Sequence, residues 1–295
     1  MPTTETQIHM SASGVVPSVV RLTRRVTFSS GHRYWLADRT PDENRTLFGP
    51  WASPYNHGHN YVLEVTIGGE VDPTNGMVVN IKRVDDVLKR RILAEFDQKS
   101  INDEVEYFRN RPPSVENLLA YFADVLSAPI SELPGRPAVA AIRLFETEPF
   151  YGEWIAANEK PMLTLTRTYE FAASHRLHSA ALSPEENVAL YGKCNNPAGH
   201  GHNYVLEVTV SGDVDPTTGM MVDLGQLDAA VSGRVVERYD HRNLDVDLPE
   251  FAGRVTTSEV VAQEIWRALD GNLPARLERV RLYETARNLF EVSRS

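Results

Sequence analysis

Two histidines one residue apart, His200 and His202, begin a run of alternating positions. Side chains on a strand alternate between faces, so both imidazoles can point at one ion. His175, at the expected end of an earlier strand, offers a third nitrogen. Zinc takes imidazole nitrogens at about 2.0–2.1 Å, and three protein ligands leave a fourth position open for water or substrate. Histidines that pack and hydrogen-bond without metal are the alternative. The count argues against it: of nine histidines, six form the same three-histidine pattern, once as His32, His57 and His59 and once as His175, His200 and His202. The chain has a single cysteine, Cys194, so no intramolecular disulfide can form and a reducing, cytoplasmic compartment is expected. A lone thiol is either a small buried hydrophobe or a reactive group. Its place six residues before His200, in a loop rich in Gly and Asn, favours chemistry.

The pattern repeats because the chain does. The string HGHNYVLEVT occurs at His57–Thr66 and again at His200–Thr209, an offset of 143. The same offset carries Phe28–His32 onto Phe171–His175, Val71–Met77 onto Val214–Met220, and Asp97 onto Asp240. Near the copy ends, residues 143–147 match 281–285 at an offset of 138, which places about five extra residues around Ser127–Pro137 of the first copy. A period this long is a duplicated domain rather than a solenoid repeat. The expected organisation is a disordered tail over 1–20, a first domain over 21–157 and a second over 162–295.

Each copy must hold its histidines on a sheet. A strand leads to the first histidine (22–30 and 164–173), a long polar loop follows, and a second strand starts at His-Gly-His. His200, His202, Tyr204, Leu206, Val208 and Val210 then share one face. Asp-Pro-Thr-X-Gly is a turn signal. Leu224, Leu227, Val231 and Val235, like Ile81, Val84, Leu88 and Ile92, recur at helical spacing. A second helix begins near Thr256/Ser258, and strands at 278–284 and 288–293 close the copy. The order ββααββ predicts an α+β fold, each copy a four-stranded antiparallel sheet with two helices on one face.

Composition bounds the partners. The 295 residues carry a formal net charge of -10 and are 42% hydrophobic. Nucleic acid and anionic membrane surfaces are poor partners for so acidic a chain. No segment approaches the roughly 18 apolar residues that span a bilayer.

Four stretches make the chain recognisable: Phe171-Ala-Ala-Ser-His175-Arg-Leu, Tyr191-Gly-Lys-Cys194 through His200-Gly-His202, Asp240-His241-Arg-Asn-Leu, and Tyr283-Glu284-Thr. Together they resemble the 6-pyruvoyl-tetrahydropterin synthase family, across nearly the whole second copy. The resemblance implies a tunnelling fold, in which sheets from several domains close into a barrel by oligomerisation. It also implies zinc, and a pterin triphosphate substrate, 7,8-dihydroneopterin triphosphate, that loses triphosphate in an internal redox rearrangement. By the same resemblance Cys194 is the base, Asp240 and His241 relay protons, and Glu284 anchors the pterin. Thr257 and Ser258 align with a pterin-contacting segment, although Glu259-Val260 stands where the family has Glu-Asn. Thr256-Thr-Ser-Glu259 reads equally as a helix capping box. Lys193, Arg176 and Arg242 are candidates to meet the triphosphate. The related 6-carboxy-tetrahydropterin synthases usually have a shorter Cys-to-His spacing. The five residues between Cys194 and His200, and the segment after Asp240-His241, favour the pyruvoyl type. A non-catalytic pterin- or metal-binding scaffold is the reading from another class.

The first copy resembles the family with losses. Trp51 stands at the position of Cys194 and Gln98 at that of His241, while His32, His57, His59, Asp97 and Glu146 remain. Glutamine can orient but cannot shuttle charge. The family draws its thiol from one subunit and its Asp-His pair from the neighbour. A mixed ring would then lack one or the other at every interface. The expectation is therefore like with like: a homo-oligomer, most simply a trimer, with two stacked barrels.

Overall fold

The computed structural model describes residues 19–294. Its ten strands are β1 (Val19–His32), β2 (His57–Glu70), β3 (Lys99–Ser100), β4 (Ala138–Thr147), β5 (Phe150–Ile155), β6 (Met162–His175), β7 (His200–Ser211), β8 (Arg242–Asn243), β9 (Arg276–Thr285) and β10 (Asn288–Ser293). In each copy four antiparallel strands form the body, and a two-residue strand pairs in parallel with the first. Val19 and Val20 belong to β1, so the tail expected over 1–20 is at least two residues shorter. The rest of it lies outside the described residues.

The two copies are built alike to fine detail. Phe28 stacks on Tyr61 with ring centroids 5.0 Å apart, and Phe171 on Tyr204 at 5.1 Å. Register shifts fall at Thr66/Ile67 and at the equivalent Thr209/Val210. The first long helix of each copy passes through a π turn, at Lys89–Leu93 and Ser232–Val236. It buries Val84, Leu88 and Ile92, or Leu227, Val231 and Val235. Ile81, expected on that face, is exposed at the helix start. The second helix runs Val115–Ser131 in one copy and Ser258–Leu269 in the other, so the five extra residues lengthen a helix.

Each long polar loop holds a short helix that the order ββααββ omits, Pro41–Phe48 and Pro184–Tyr191. Both begin with a capping box, from Thr40 to Glu43 and from Ser183 to Glu186. The capping box expected at Thr256–Glu259 does not form. Thr257 is the N-cap without a side-chain bond, while buried Thr256 gives its hydroxyl to Asp245 at 2.7 Å.

The expectation of like with like also fails. The strand order is β10-β9-β7-β6-β5-β4-β2-β1-β3, one continuous sheet through both copies. The junction is β5 against β6, from Phe150 opposite Arg167 to Ile155 opposite Met162. The cause is the linker: residues 156–161 join two antiparallel strands, and so short a connection makes them neighbours. The first copy therefore sits beside the second in one sheet.

Candidate functional site

In the second copy β6 and β7 run side by side with His175 opposite His200. The pleat turns His175, His200 and His202 to the face that carries buried Tyr204 and Leu206. One ligand atom from each of the three rings lies within 4.8 Å of the others. Nδ1 of His175 is 2.7 Å from the carbonyl oxygen of Thr256, which fixes that nitrogen as the N–H and frees Nε2. Nε2 of His175, Nδ1 of His200 and Nε2 of His202 are buried without a hydrogen-bond partner. Burial holds His200 and His202 below the ordinary imidazole pKa, so they are neutral, as metal ligands must be. Three orphaned nitrogens converging on one point fit a zinc ion with a position to spare.

Glu284, near the end of β9, borders this cluster, its Oε1 3.8 Å from His175 and 3.9 Å from His202. Ser258 donates to its Oε1 at 2.7 Å and Asn288 to its Oε2 at 3.0 Å. Burial alone would raise its pKa, but these donors and the two imidazoles outweigh that and hold it below the usual value. Ser258 thus positions the carboxylate. Asn288 gave no signal in the sequence beyond its place across a hairpin turn.

Cys194 lies in the 3-10 turn Gly192–Asn195, half-buried, and its thiol is outside the three-imidazole cluster. The turn is tied to the segment just past His175. The amide of Leu177 donates to the carbonyl of Cys194 at 2.9 Å, and Arg176 Nε donates to Asn195 Oδ1 at 3.0 Å. Arg176 is therefore engaged, whereas Lys193 and Arg242 are exposed.

Asp240 and His241 stand on the other side of β6 from β7. Asp240 Oδ1 accepts from the Ala172 amide at 2.8 Å and Oδ2 lies 2.8 Å from His241 Nδ1. The Ala172 amide first, then His241, holds the carboxylate below its usual pKa. His241 is 84% exposed and adopts φ 56, a left-handed backbone rare outside glycine. Its amide donates to the Ala172 carbonyl at 2.6 Å. It opens onto a cleft of about 480 Å³ lined also by Ala172, Ser174, Gly201, Asn203 and His202, the last a member of the histidine cluster. The structure thus gathers His175, His200, His202 and Glu284 in one place and sets Asp240–His241 on the copy's flank, against the edge that meets the other copy.

The first copy repeats the arrangement. His32, His57 and His59 bring ligand atoms within 4.8 Å. His32 Nδ1 lies 3.1 Å from the Pro113 carbonyl, and Glu146 stands 3.9 Å from His32 and 3.8 Å from His59. Burial, then the neighbouring imidazoles, lowers His32 to about 3, and burial followed by His57 takes His59 to about 4. Asp97 still accepts from the Ser29 amide at 3.0 Å, and Gln98 keeps φ 60. The aspartate thus serves the backbone even where no imidazole follows it. Trp51 ends the 3-10 turn equivalent to that of Cys194 and is partly exposed.

Among the described residues no helix is long and apolar enough to cross a membrane. A family model described as 6-pyruvoyl tetrahydropterin synthase matches twice, at residues 21–154 and 164–295. The 6-pyruvoyl tetrahydrobiopterin synthase of Homo sapiens is 49% identical over 126 residues, 42% of this chain and 87% of that protein. A 6-carboxy-5,6,7,8-tetrahydropterin synthase of Rickettsia bellii is 28% identical over 144 residues, 44% of this chain and 95% of that protein. The solved structure of Caenorhabditis elegans 6-pyruvoyl tetrahydropterin synthase covers 47% of this chain and all of its own, at 43% identity and a TM-score of 0.44. With both copies matched and the histidine clusters at equivalent places in each, the chain belongs to the 6-pyruvoyl tetrahydropterin synthase family, as a tandem duplicate.

Proposed function

We propose that the protein is a zinc-dependent lyase that converts 7,8-dihydroneopterin triphosphate to 6-pyruvoyl-tetrahydropterin, and that the C-terminal copy carries the reaction. The observation that supports this most is the C-terminal cluster itself: three orphaned imidazole nitrogens with Glu284 fixed beside them by Ser258 and Asn288. His175, His200 and His202 would hold the zinc, which when bound would supply Lewis-acid chemistry to a substrate oxygen. Glu284 presents its remaining lone pairs to the amino-pyrimidine edge of the pterin, whose paired donors suit a carboxylate. Thr257, the N-cap of the helix that begins at Ser258, has no side-chain cap bond and is a second candidate to contact the pterin.

Cys194 takes a proton from the substrate side chain beside the zinc site. In Asp240–His241 the carboxylate fixes the Nδ1–H tautomer and leaves Nε2 to give or take a proton, a role worth ~10²–10⁴ in rate. In the N-terminal copy His32, His57 and His59, with Glu146 beside them, would hold a second zinc, but that copy has no thiol to start the reaction. The lone cysteine supports a reducing, cytoplasmic setting.

The test is incubation with 7,8-dihydroneopterin triphosphate and product analysis. We expect 6-pyruvoyl-tetrahydropterin and triphosphate in equal amounts. A 6-carboxy product reassigns the reaction to the related synthases, and absence of turnover by zinc-loaded protein sinks the catalytic reading.

A further inference from the structure

The two clusters match in their imidazoles and differ in how their carboxylate is held. Glu146 and Glu284 stand at like distances from two histidines of their own copies. Glu146 is 3.9 Å from His32 and 3.8 Å from His59, and Glu284 is 3.8 Å from His175 and 3.9 Å from His202. Glu284 is tied in place, by Ser258 at 2.7 Å on one oxygen and by Asn288 at 3.0 Å on the other. At the offsets that relate the copies, Ser258 falls on Val115 and Asn288 on Phe150. Neither of these side chains has a hydrogen to donate. Both are buried, Val115 at 1% exposure and Phe150 at 4%. Oε2 of Glu146 is accordingly buried without a hydrogen-bond partner, and so are Nε2 of His32 and Nε2 of His59.

A carboxylate against an apolar wall is costly unless a donor, a cation or a metal meets it. In the second copy a hydroxyl and an amide do so. In the first copy the charge of Arg167 reaches Glu146, but that guanidinium is already bonded through Nε and Nη2 to Asp228. Ligand atoms around a tetrahedral zinc with bonds of 2.0–2.1 Å lie about 3.3 Å from one another. Glu146 therefore needs to approach His32 and His59 by only roughly half an ångström to join them. Its orphaned Oε2 gives up no hydrogen bond in that step, whereas Glu284 would break two.

We propose that Glu146 is a fourth protein ligand of the N-terminal ion. His32, His57, His59 and Glu146 would then hold a closed, structural zinc with no position for water or substrate. The inference rests on the reading that the N-terminal cluster takes zinc. Structural zinc sites are filled by four protein groups, and catalytic ones keep a vacancy. The C-terminal centre keeps its vacancy because Ser258 and Asn288 draw Glu284 back from the ion. The closed site also has a mechanical consequence. His32 ends β1, His57 and His59 begin β2, and Glu146 lies near the end of β4, three strands adjacent in the sheet. One ion held by all four residues would pin these strands at a single end.

Cobalt(II) in place of zinc reports the coordination without any assay of turnover. His175→Ala keeps only the N-terminal ion, and His32→Ala only the C-terminal one. We expect azide, which binds at an open position, to shift the visible absorption of the cobalt-loaded His32→Ala chain and to leave that of the His175→Ala chain unchanged. Glu146→Gln in the His175→Ala background keeps the three imidazoles. Its zinc affinity should fall at least about ten-fold, and its cobalt spectrum should become sensitive to azide. Should the single-site chains lose their far-UV circular dichroism, the native chain loaded with two cobalt ions answers the same question: azide should alter one centre and spare the other. An azide shift in the His175→Ala chain, a response from both centres of the native chain, or a Glu146→Gln site with undiminished zinc affinity overturns the proposal. A folded His175→Ala chain that takes up no cobalt overturns it as well, and that result alone also removes the second zinc site on which it rests.

Discussion

The carbonyl oxygen of Thr256 lies 2.7 Å from Nδ1 of His175, and this contact settles which nitrogen of the ring faces the cluster. Pro113 does the same for His32 at 3.1 Å. Two copies that differ at Cys194 and His241 keep the same second support behind their first histidine. We therefore expect two zinc ions per native chain by elemental analysis. His32→Ala and His175→Ala should each leave one, and only His175→Ala should abolish turnover. A single ion in the native chain would show that the N-terminal cluster is packing alone.

Cys194→Ala should retain both ions and lose turnover by on the order of 10²-fold or more, as expected for removal of a positioned base. The informative readout is the pair of measurements on one preparation. Lost metal together with lost activity would make the thiol a structural group.

Gln98→His places an imidazole after Asp97 with no change of charge at alkaline pH. If Gln98 borders the Cys194 centre of another chain, this should raise turnover several-fold and add a limb to the pH–rate profile near the ordinary imidazole pKa of about 6.5. A profile and rate identical to the native protein would mean that Gln98 does not border the Cys194 centre.

Burial raises the Glu116 carboxyl to about 7 from an ordinary value of 4.5, against the Met221 amide that bonds it. The folded chain therefore holds this proton over a range where the unfolded chain has released it. Stability falls as pH rises from 4.5 to 7, by on the order of 3 kcal/mol at most, and stays lowered above 7. Glu116→Gln keeps an oxygen for Met221 and has no proton to lose. It should melt higher than the native chain at pH 8, with the difference gone at pH 4.5; an unchanged melting temperature at pH 8 would refute the assignment.

The histidine cluster was legible because strand alternation is rigid: His200 and His202 cannot face apart once β7 is extended. The support from Thr256 was not legible. A main-chain carbonyl has no side-chain signature, which is why proline serves equally well in the first copy. The short helices at Pro41–Phe48 and Pro184–Tyr191 announce themselves by Thr-Pro-Asp-Glu and Ser-Pro-Glu-Glu. They bury little, only Asn44 and Phe48 in one and Asn187 in the other, so no apolar period marks them. The arrangement of the copies was misjudged because two signals conflict. Catalytic completeness argues for separate rings, and the brevity of residues 156–161 argues for adjacency. The backbone obeys the shorter tether.

That tether has an evolutionary corollary. A contact closed within one polypeptide forms at any dilution, because its two sides are never free to diffuse apart. The β5–β6 junction is thereby exempt from mass action, and the residues along it are released from having to recognise a stranger. Trp51 could replace a thiol under such shelter: a fused neighbour is retained as masonry long after it has stopped working as a tool.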